Sequence, residues 1–491
     1  MFTSFISETK NRYFVLSLFC CTLFILVQWA ILPASYTSDT ADGVWHYLLA
    51  RYSYWNPAFE LDLWAKPVFT ILAAPFAQFG LKGIHFMQII CSFLTSIILL
   101  KIADFFNIKH LWLIPILLLF TPVYFPELFS GLTEIVFAFF LVWGIYLVVI
   151  NEWLLATVLF SFLPFVRQEG YFIFPLMGLL LLIQKKYFYI PALLTGYMLV
   201  TIYGYSTHHS LMWISDNNPY KGAQDIYGKG DFFFYINALD ELLGTSRKVL
   251  LYTGGIISLY TLIHGLFTFK KNTITENKLF HFHFLTLGFI VLFITAESIF
   301  WAFGLFGALG MHRLITCIVP LVVLIIIFGL DVIYTFASKY GFSKIYILTL
   351  SIFSIFFVNI IFKMHYWPME LKDETVVVAD ACAWYKTNSP DKKGKVYFSH
   401  PYTIIGLDLN PYDSKKSQET YAISDKQHPE NNMQEGDVIV WDAHFGANEG
   451  KLPLTSFTQN PNFILLNQFS PENAFNVLGD QPFGVYIFKR K

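Results

Sequence analysis

The stretch Tyr13-Phe-Val-Leu-Ser-Leu-Phe-Cys-Cys-Thr-Leu-Phe-Ile-Leu-Val-Gln-Trp-Ala-Ile-Leu32 decides the class of this chain. It carries no charge, and its ~20 residues are enough for a helix to cross the hydrocarbon core of a bilayer. Lys10 and Arg12 precede it and Pro33-Ala34-Ser35 follows, so the outline is also that of a secretory leader. The apolar runs that follow it make a cleaved leader unnecessary. The stretch reads as a first transmembrane helix.

Working outward, apolar runs recur near 84–104, 111–125, 132–150, 153–165, 170–184, 187–205, 249–269, 281–300, 314–336 and 343–363. Each is close to or below the ~20 residues of a full span, and the pair flanking Arg167 is short. Composition agrees: 55% of the 491 residues are hydrophobic and 14% charged, with mean hydropathy +0.52. A soluble domain carries about a quarter charged residues, so this chain needs lipid as part of its solvent. Its net charge of −1 excludes the basic face that a nucleic-acid partner requires. The five cysteines (Cys20, Cys21, Cys91, Cys317 and Cys382) form no readable disulfide or zinc framework.

Lysine and arginine in the short loops set the orientation. With Lys10 and Arg12 in the cytoplasm, Lys101, Lys109, Lys185, Lys186, Lys270, Lys271, Lys278, Lys339 and Lys344 fall there too. The outer loops are then 33–66, 126–131, 166–169, 206–248 and 301–313, and the tail from about 364 is also outside. Lys66–Phe79, interrupted by Pro67 and Pro75, is expected to dip along the interface. In the tail, Thr375–Val378, Lys395–Phe398, Val438–Trp441, Phe463–Asn467 and Gly484–Lys489 read as short strands, with a helix near Ala379–Asn388. The expected fold is therefore an all-α polytopic membrane domain of about eleven spans (1–363) and a small extracytoplasmic α/β domain (364–491). Its Lys-, Phe- and Ile-rich composition and lack of an Asn-x-Ser/Thr sequon lean towards a multi-pass protein of the bacterial inner membrane, with both the site and the tail periplasmic.

Ionisable residues at membrane depth are expensive, so each is a functional candidate. Asp39 and Asp42 follow the first span, Glu134 opens the fourth, and Arg167 and Glu169 lie between the fifth and sixth. Glu297, His312 and Arg313 flank the loop after the ninth. All lie at the outer ends of their helices. Such a set suits group transfer from a lipid-linked donor. Arg167 and Arg313 would hold the lipid phosphate and stabilise it as it leaves. Asp42 or Asp39 would accept the proton of an acceptor hydroxyl, and one direct displacement with one base inverts the anomeric carbon.

The order of these residues resembles the GT-C superfamily of polyprenyl-phosphate-sugar-dependent glycosyltransferases over roughly 13–363. The resemblance rests on Ser38-Asp39-Thr40-Ala41-Asp42-Gly43, Trp64-Ala65-Lys66-Pro67, Thr133-Glu134, Arg167-Gln168-Glu169-Gly170 and His312-Arg313-Leu314. The fourth is similar to the Arg-Pro-Glu-Gly of mannosyltransferase-like members, with Gln168 in place of proline. The resemblance implies a first-loop acid as catalytic base and a polyprenyl-phosphate sugar as donor. Asp42 and Asp39 are then catalytic, and Glu134, Arg167, Glu169, His312 and Arg313 bind substrate. Activity is expected to be hexosyl or pentosyl transfer to a glycan, lipid or protein acceptor, with no cofactor and no obligatory metal.

Each residue also has an ordinary use. Asp39 follows Thr37-Ser38 where a helix would start and fits an N-cap. Arg167 and Glu169 fit an ion pair covering a broken helix, Glu134 a helix-dipole partner, and Arg313 an interfacial anchor. His208-His209 with Asp216 lack diagnostic metal spacing, and Asp442 and His444 read as surface residues. The competing class is a transporter or flippase of lipid-linked sugars, which would place charges near the bilayer midplane and show related halves.

Overall fold

The structure, a computed structural model, describes residues 9–38, 41–219, 228–267, 278–306, 308–388, 394–477 and 480–491. Asp39, Lys270 and Lys271 lie outside the described residues. The chain divides into two compact units, Met1–Leu32 with His46–Met369 and Pro33–Trp45 with Glu370–Lys491. The second unit thus begins a few residues beyond the expected boundary and takes in the first part of the first loop, Pro33–Trp45.

Up to residue 363 the main helices are α1 (Thr9–Ile31), α2 (Asp42–Tyr52), α3 (Pro67–Ala77), α4 (Leu81–Phe105), α5 (Leu113–Leu119), α6 (Glu134–Val149), α7 (Trp153–Ser161), α8 (Ile173–Ile183), α9 (Thr195–His208), α10 (Thr245–Phe267), α11 (Lys278–Phe303), α12 (Val319–Lys339) and α13 (Ser343–Lys363). Among the described residues, six helical stretches are long and apolar enough to cross a membrane: Arg12–Ile31, Leu81–Phe105, Tyr187–His208, Lys278–Phe303, His312–Lys339 and Ser343–Lys363. Pro67–Ala77, Glu134–Val149, Trp153–Phe165 and Gln168–Ile183 are apolar but shorter. Lys66–Phe79 is therefore mostly helix: Pro67 opens α3, where its missing N–H costs nothing.

The helical unit is built around α12, whose residues Val319–Ile327 are all buried. Its partner α10 approaches through glycine. A Cβ on Gly254 would lie 2.3 Å from the Ile325 carbonyl oxygen, and one on Gly329 would lie 2.7 Å from the Gly254 Cα. Small residues of this kind let membrane helices bring their backbones together. The lysines gather at the helix ends opposite the Glu134 terminus of α6. There Lys101 lies over Tyr146, Lys186 over Trp153 and Lys278 over Phe105, with the ammonium 5.6, 5.4 and 4.6 Å from the ring centres.

The tail unit holds α14 (Asp373–Asn388) and the strands β1 (Val396–Phe398), β2 (Ser417–Glu419), β3 (Val438–Asp442), β4 (Phe463–Phe469), β5 (Asn476–Val477), β6 (Gln481–Pro482) and β7 (Val485–Arg490). The main sheet has the order β2-β1-β3-β7-β4. The β1 strand is parallel to both neighbours, while β7 is antiparallel to β3 and β4. In register, Val396 faces Val438 and Val440 faces Ile487. Thr375–Val378, expected as a strand, is the first part of α14. Its Thr375, Val378, Cys382 and Tyr385 are buried at helical spacing, and packing of that stripe overrides the β-propensity of the Thr-Val-Val-Val run.

Candidate active site

The chain between α7 and α8 breaks at two short 3₁₀ turns, Leu163–Phe165 and Gln168–Phe172, with Arg167 extended between them (φ −156°, ψ 146°). Gly170 allows the break to close on itself. A Cβ there would stand 2.3 Å from the Leu163 carbonyl carbon and 2.4 Å from the Pro164 nitrogen. Only glycine tolerates that approach.

This turn delivers Arg167 to three partners. Its Nε and one terminal nitrogen donate to the two carboxylate oxygens of Glu169 at 3.2 and 2.8 Å. The other terminal nitrogen donates to Thr133 Oγ1 at 2.8 Å and pairs with Glu134 Oε1 at 2.8 Å. The last contact is an ion pair without the alignment of a hydrogen bond. Arg313 Nε reaches the same Glu134 oxygen at 3.4 Å. Glu134 and Glu169 are fully buried, and Glu134 opens α6, where the helix dipole favours a carboxylate. Four of the expected residues, from three separate chain regions, thus form one network. His312 stands outside it: its Nδ1 is 3.8 Å from Glu241 Oε1 and its ring lies against Phe234.

Beside the network is a cavity of about 310 Å³. Lys66, Gln168, Glu169 and Glu297 supply its charged and amide groups, and Phe172 and Phe300 are among its apolar walls. Lys66 is buried and sits at φ 71°, a left-handed conformation costly for a residue with a Cβ. Asp62 enforces it from below, its Oδ1 accepting from the Trp64 and Ala65 amides at 2.8 Å each while its carbonyl accepts from the Lys66 amide. Strain held in place by its surroundings at a cavity wall is a functional signature.

Asp42 is the first residue of α2 and belongs to the tail unit. In that unit Tyr402 Oη and Ser35 Oγ, the latter in the first loop, are hydrogen-bonded at 2.6 Å. The other polar cluster of the unit lies at the carboxyl ends of β1 and β3. Glu374 Oε1 accepts from His400 Nε2 at 3.2 Å and from His444 Nδ1 at 2.7 Å. The Tyr402 amide donates to His400 Nδ1, so in the neutral ring the proton is on Nε2, facing Glu374. Asp442, expected at the surface, is buried and its Oδ1 caps the turn by accepting from the His444 and Phe445 amides. His208 stacks on Trp213 at 4.4 Å, and among the described residues no three His, Cys, Asp or Glu groups converge as metal ligands.

The structure is similar to that of the oligosaccharyltransferase of Archaeoglobus fulgidus, solved with a tethered acceptor peptide containing an NVT sequon. The TM-score is 0.51 and the identity 11%, over 84% of this chain and 64% of that one. This chain thus spans less than two thirds of the oligosaccharyltransferase, and at such identity the likeness is one of fold. No protein-family model matches the chain, and no curated protein matches it.

Within the helical unit, sequence reasoning counted Glu297 among the candidates and quoted Lys66 in the Trp64–Pro67 stretch, but assigned neither a role. Both carry a legible signal. Lys66 is a lone cation before a proline in apolar surroundings, and Glu297 is the one acid of α11. A third residue, Tyr235, left no signal of its own.

Proposed function

We propose that this chain is a membrane glycosyltransferase, threaded about eleven times, that moves a sugar from a polyprenyl-phosphate donor to an acceptor at the extracytoplasmic side. The observation that carries the reading is the buried network of Glu134, Arg167, Glu169 and Arg313 beside a cavity bearing Lys66, set in a GT-C-like fold. A transporter would place its charges at mid-helix, whereas Glu134 starts α6, Arg167 lies between two short turns and Arg313 is at the start of the helical stretch His312–Lys339.

In the proposed reaction the acceptor oxygen attacks the anomeric carbon and its proton passes to a carboxylate. The bond from that carbon to the phosphate oxygen breaks, and the polyprenyl phosphate leaves with the electron pair. The configuration inverts. Asp42 is assigned the base role that the GT-C resemblance gives to a first-loop acid, with Asp39 as its alternate. Lys66 and Arg313 are assigned the phosphate, since cations that meet developing charge in a dry cavity act strongly. Arg167, with its donors spread over Glu134, Glu169 and Thr133, holds the site's shape.

The test is sugar transfer in membranes expressing the full chain, with a labelled polyprenyl-phosphate sugar as donor. Asp42→Asn keeps size and loses proton acceptance, so kcat should fall by about 10²–10⁴ while donor binding survives. Asp39→Asn should be mild, because Asp42 keeps the base role. Full transfer by the double Asp39→Asn, Asp42→Asn chain would sink the mechanism.

A further inference from the structure

Glu297 lies in α11, is 4% exposed and lines the 310 Å³ cavity. Among the described residues no hydrogen-bond donor or basic group is paired with its carboxylate. A buried carboxylate without a donor is costly, and natural proteins keep one where something else supplies the donor. The hydroxyl of Tyr235 is in the same condition, fully buried with no hydrogen-bond partner. Burial, with Glu297 and Glu169 close by, pushes the Tyr235 phenol up from its ordinary range. Glu297 thus presents an orphaned carboxylate to the cavity, with the orphaned Tyr235 phenol within electrostatic reach of it though not part of the cavity lining.

The occupant they fit is defined by chemistry. A phosphate is excluded from the Glu297 side, because two anions would be forced together with little water to screen them. A neutral hydroxyl fits: it donates to the carboxylate without bringing a second charge. The neighbouring wall is aromatic, with Phe300 5.9 Å from Phe172 and 4.8 Å from Phe306 between ring centres. Apolar ring faces with a few convergent polar groups are how proteins hold the C–H face and the hydroxyls of a sugar ring. The Lys66 ammonium supplies the cationic wall of the same cavity.

We infer that Glu297 forms the subsite for the hydroxyls of the transferred sugar, positioned with the nearby Tyr235 phenol, and that it sets which sugar the chain accepts. This rests on the glycosyltransferase reading above and goes beyond it by naming the residues that read the sugar.

Binding to the purified full chain separates the two. The probes are farnesyl phosphate and farnesyl-phosphoryl glucose, mannose, galactose and arabinose. For the native chain at least one sugar should bind about tenfold tighter than the bare phosphate. Glu297→Ala should remove that advantage, and Glu297→Gln and Tyr235→Phe should each remove about three- to tenfold of it. All three should bind farnesyl phosphate within about twofold of the native chain. Should Glu297→Ala fail to fold, the two conservative variants decide alone. Sugar advantages unchanged in both overturn the inference and leave the glycosyltransferase reading standing. No advantage for any sugar in the native chain overturns it as well. A native chain that binds none of the probes overturns the glycosyltransferase reading, and this inference with it.

Discussion

The helical unit and the tail unit each bury a polar cluster, and the two are made of different chemistry. Around Arg167 two arginines and two glutamates share one buried node. Around Glu374 one carboxylate accepts from two histidine rings. The difference teaches what each cluster tolerates. An Arg–Glu node of opposed charges collapses when a partner is removed. The tail cluster answers to its one carboxylate, which burial would raise and the two histidines hold down.

The largest effect that would break the comparison is at Arg167. Arg167→Ala leaves Glu134 and Glu169 buried without their main counter-charge, a loss of about 3–5 kcal/mol. We expect loss of folded protein in detergent, measured by thermal unfolding, with only partial recovery in Arg167→Lys, because a point charge replaces a planar fork. An Arg167→Ala chain as stable as the native one would show that the node is not what holds this turn.

Next in size is Gly170→Ala. The added methyl meets the Leu163–Pro164 backbone rather than a yielding side chain, so about 1–3 kcal/mol should be lost. The expected signature is a fall in midpoint temperature together with reduced donor binding. A neutral result would mean the turn moves freely.

The tail cluster is tested by pH. Burial alone would raise the Glu374 carboxyl, yet the hydrogen bonds from His400 and His444 outweigh it and hold the group down at about 2. Its contribution is present above the ordinary glutamate value and is lost as the pH falls from there towards 2. Burial pushes Glu419 the other way, up to about 7, and raises Asp442 as well. Their contribution is present at low pH and is lost as the pH rises towards 7. Stability of the tail should therefore peak near pH 4.5, falling on the order of 1–2 kcal/mol on each side. Amide-exchange protection of β3 and β7 in the full chain, corrected for the intrinsic pH dependence of exchange, reads this directly. Protection that rises steadily from pH 4.5 to 7 would refute it.

The smallest effect sharpens the contrast from outside both clusters. Lys101 is exposed and, among the described residues, lies against Tyr146, so Lys101→Ala should cost about 0.5 kcal/mol or less and leave donor binding unchanged. A cost approaching that of Arg167→Ala would mean the lysine end of the bundle carries more than anchoring.

Much of the fold was legible residue by residue. The runs containing Tyr13–Leu32 and Val319–Phe336 announce membrane helices because transfer of an apolar residue into lipid is a local, additive quantity. The strands at 396–398, 438–442 and 485–490 were visible for a similar reason: alternation and flanking turn residues lie within a few positions. The tail's edge strand, Ser417–Glu419, was missed, since three polar residues have no pattern until a neighbouring strand supplies hydrogen bonds. Glu134, Arg167, Glu169 and Arg313 could be named because a charge near the membrane is costly enough to stand out alone.

What the sequence by itself determined, then, is which segments enter the membrane, which helix ends carry acids and arginines, and where a small sheet follows. Tertiary structure decided the rest. It decided that Arg167 faces Glu134 rather than solvent, that Lys66 is held at a strained φ, and that Glu297 and Lys66 line one cavity. It also decided that Pro33–Trp45 of the first loop, with Asp42, groups with the tail while the rest of that loop stays with the helices. The physical reason is range. Hydrophobic transfer and helix periodicity act within a turn or a span. An ion pair between residues 134 and 313 exists only after every helix between them has packed.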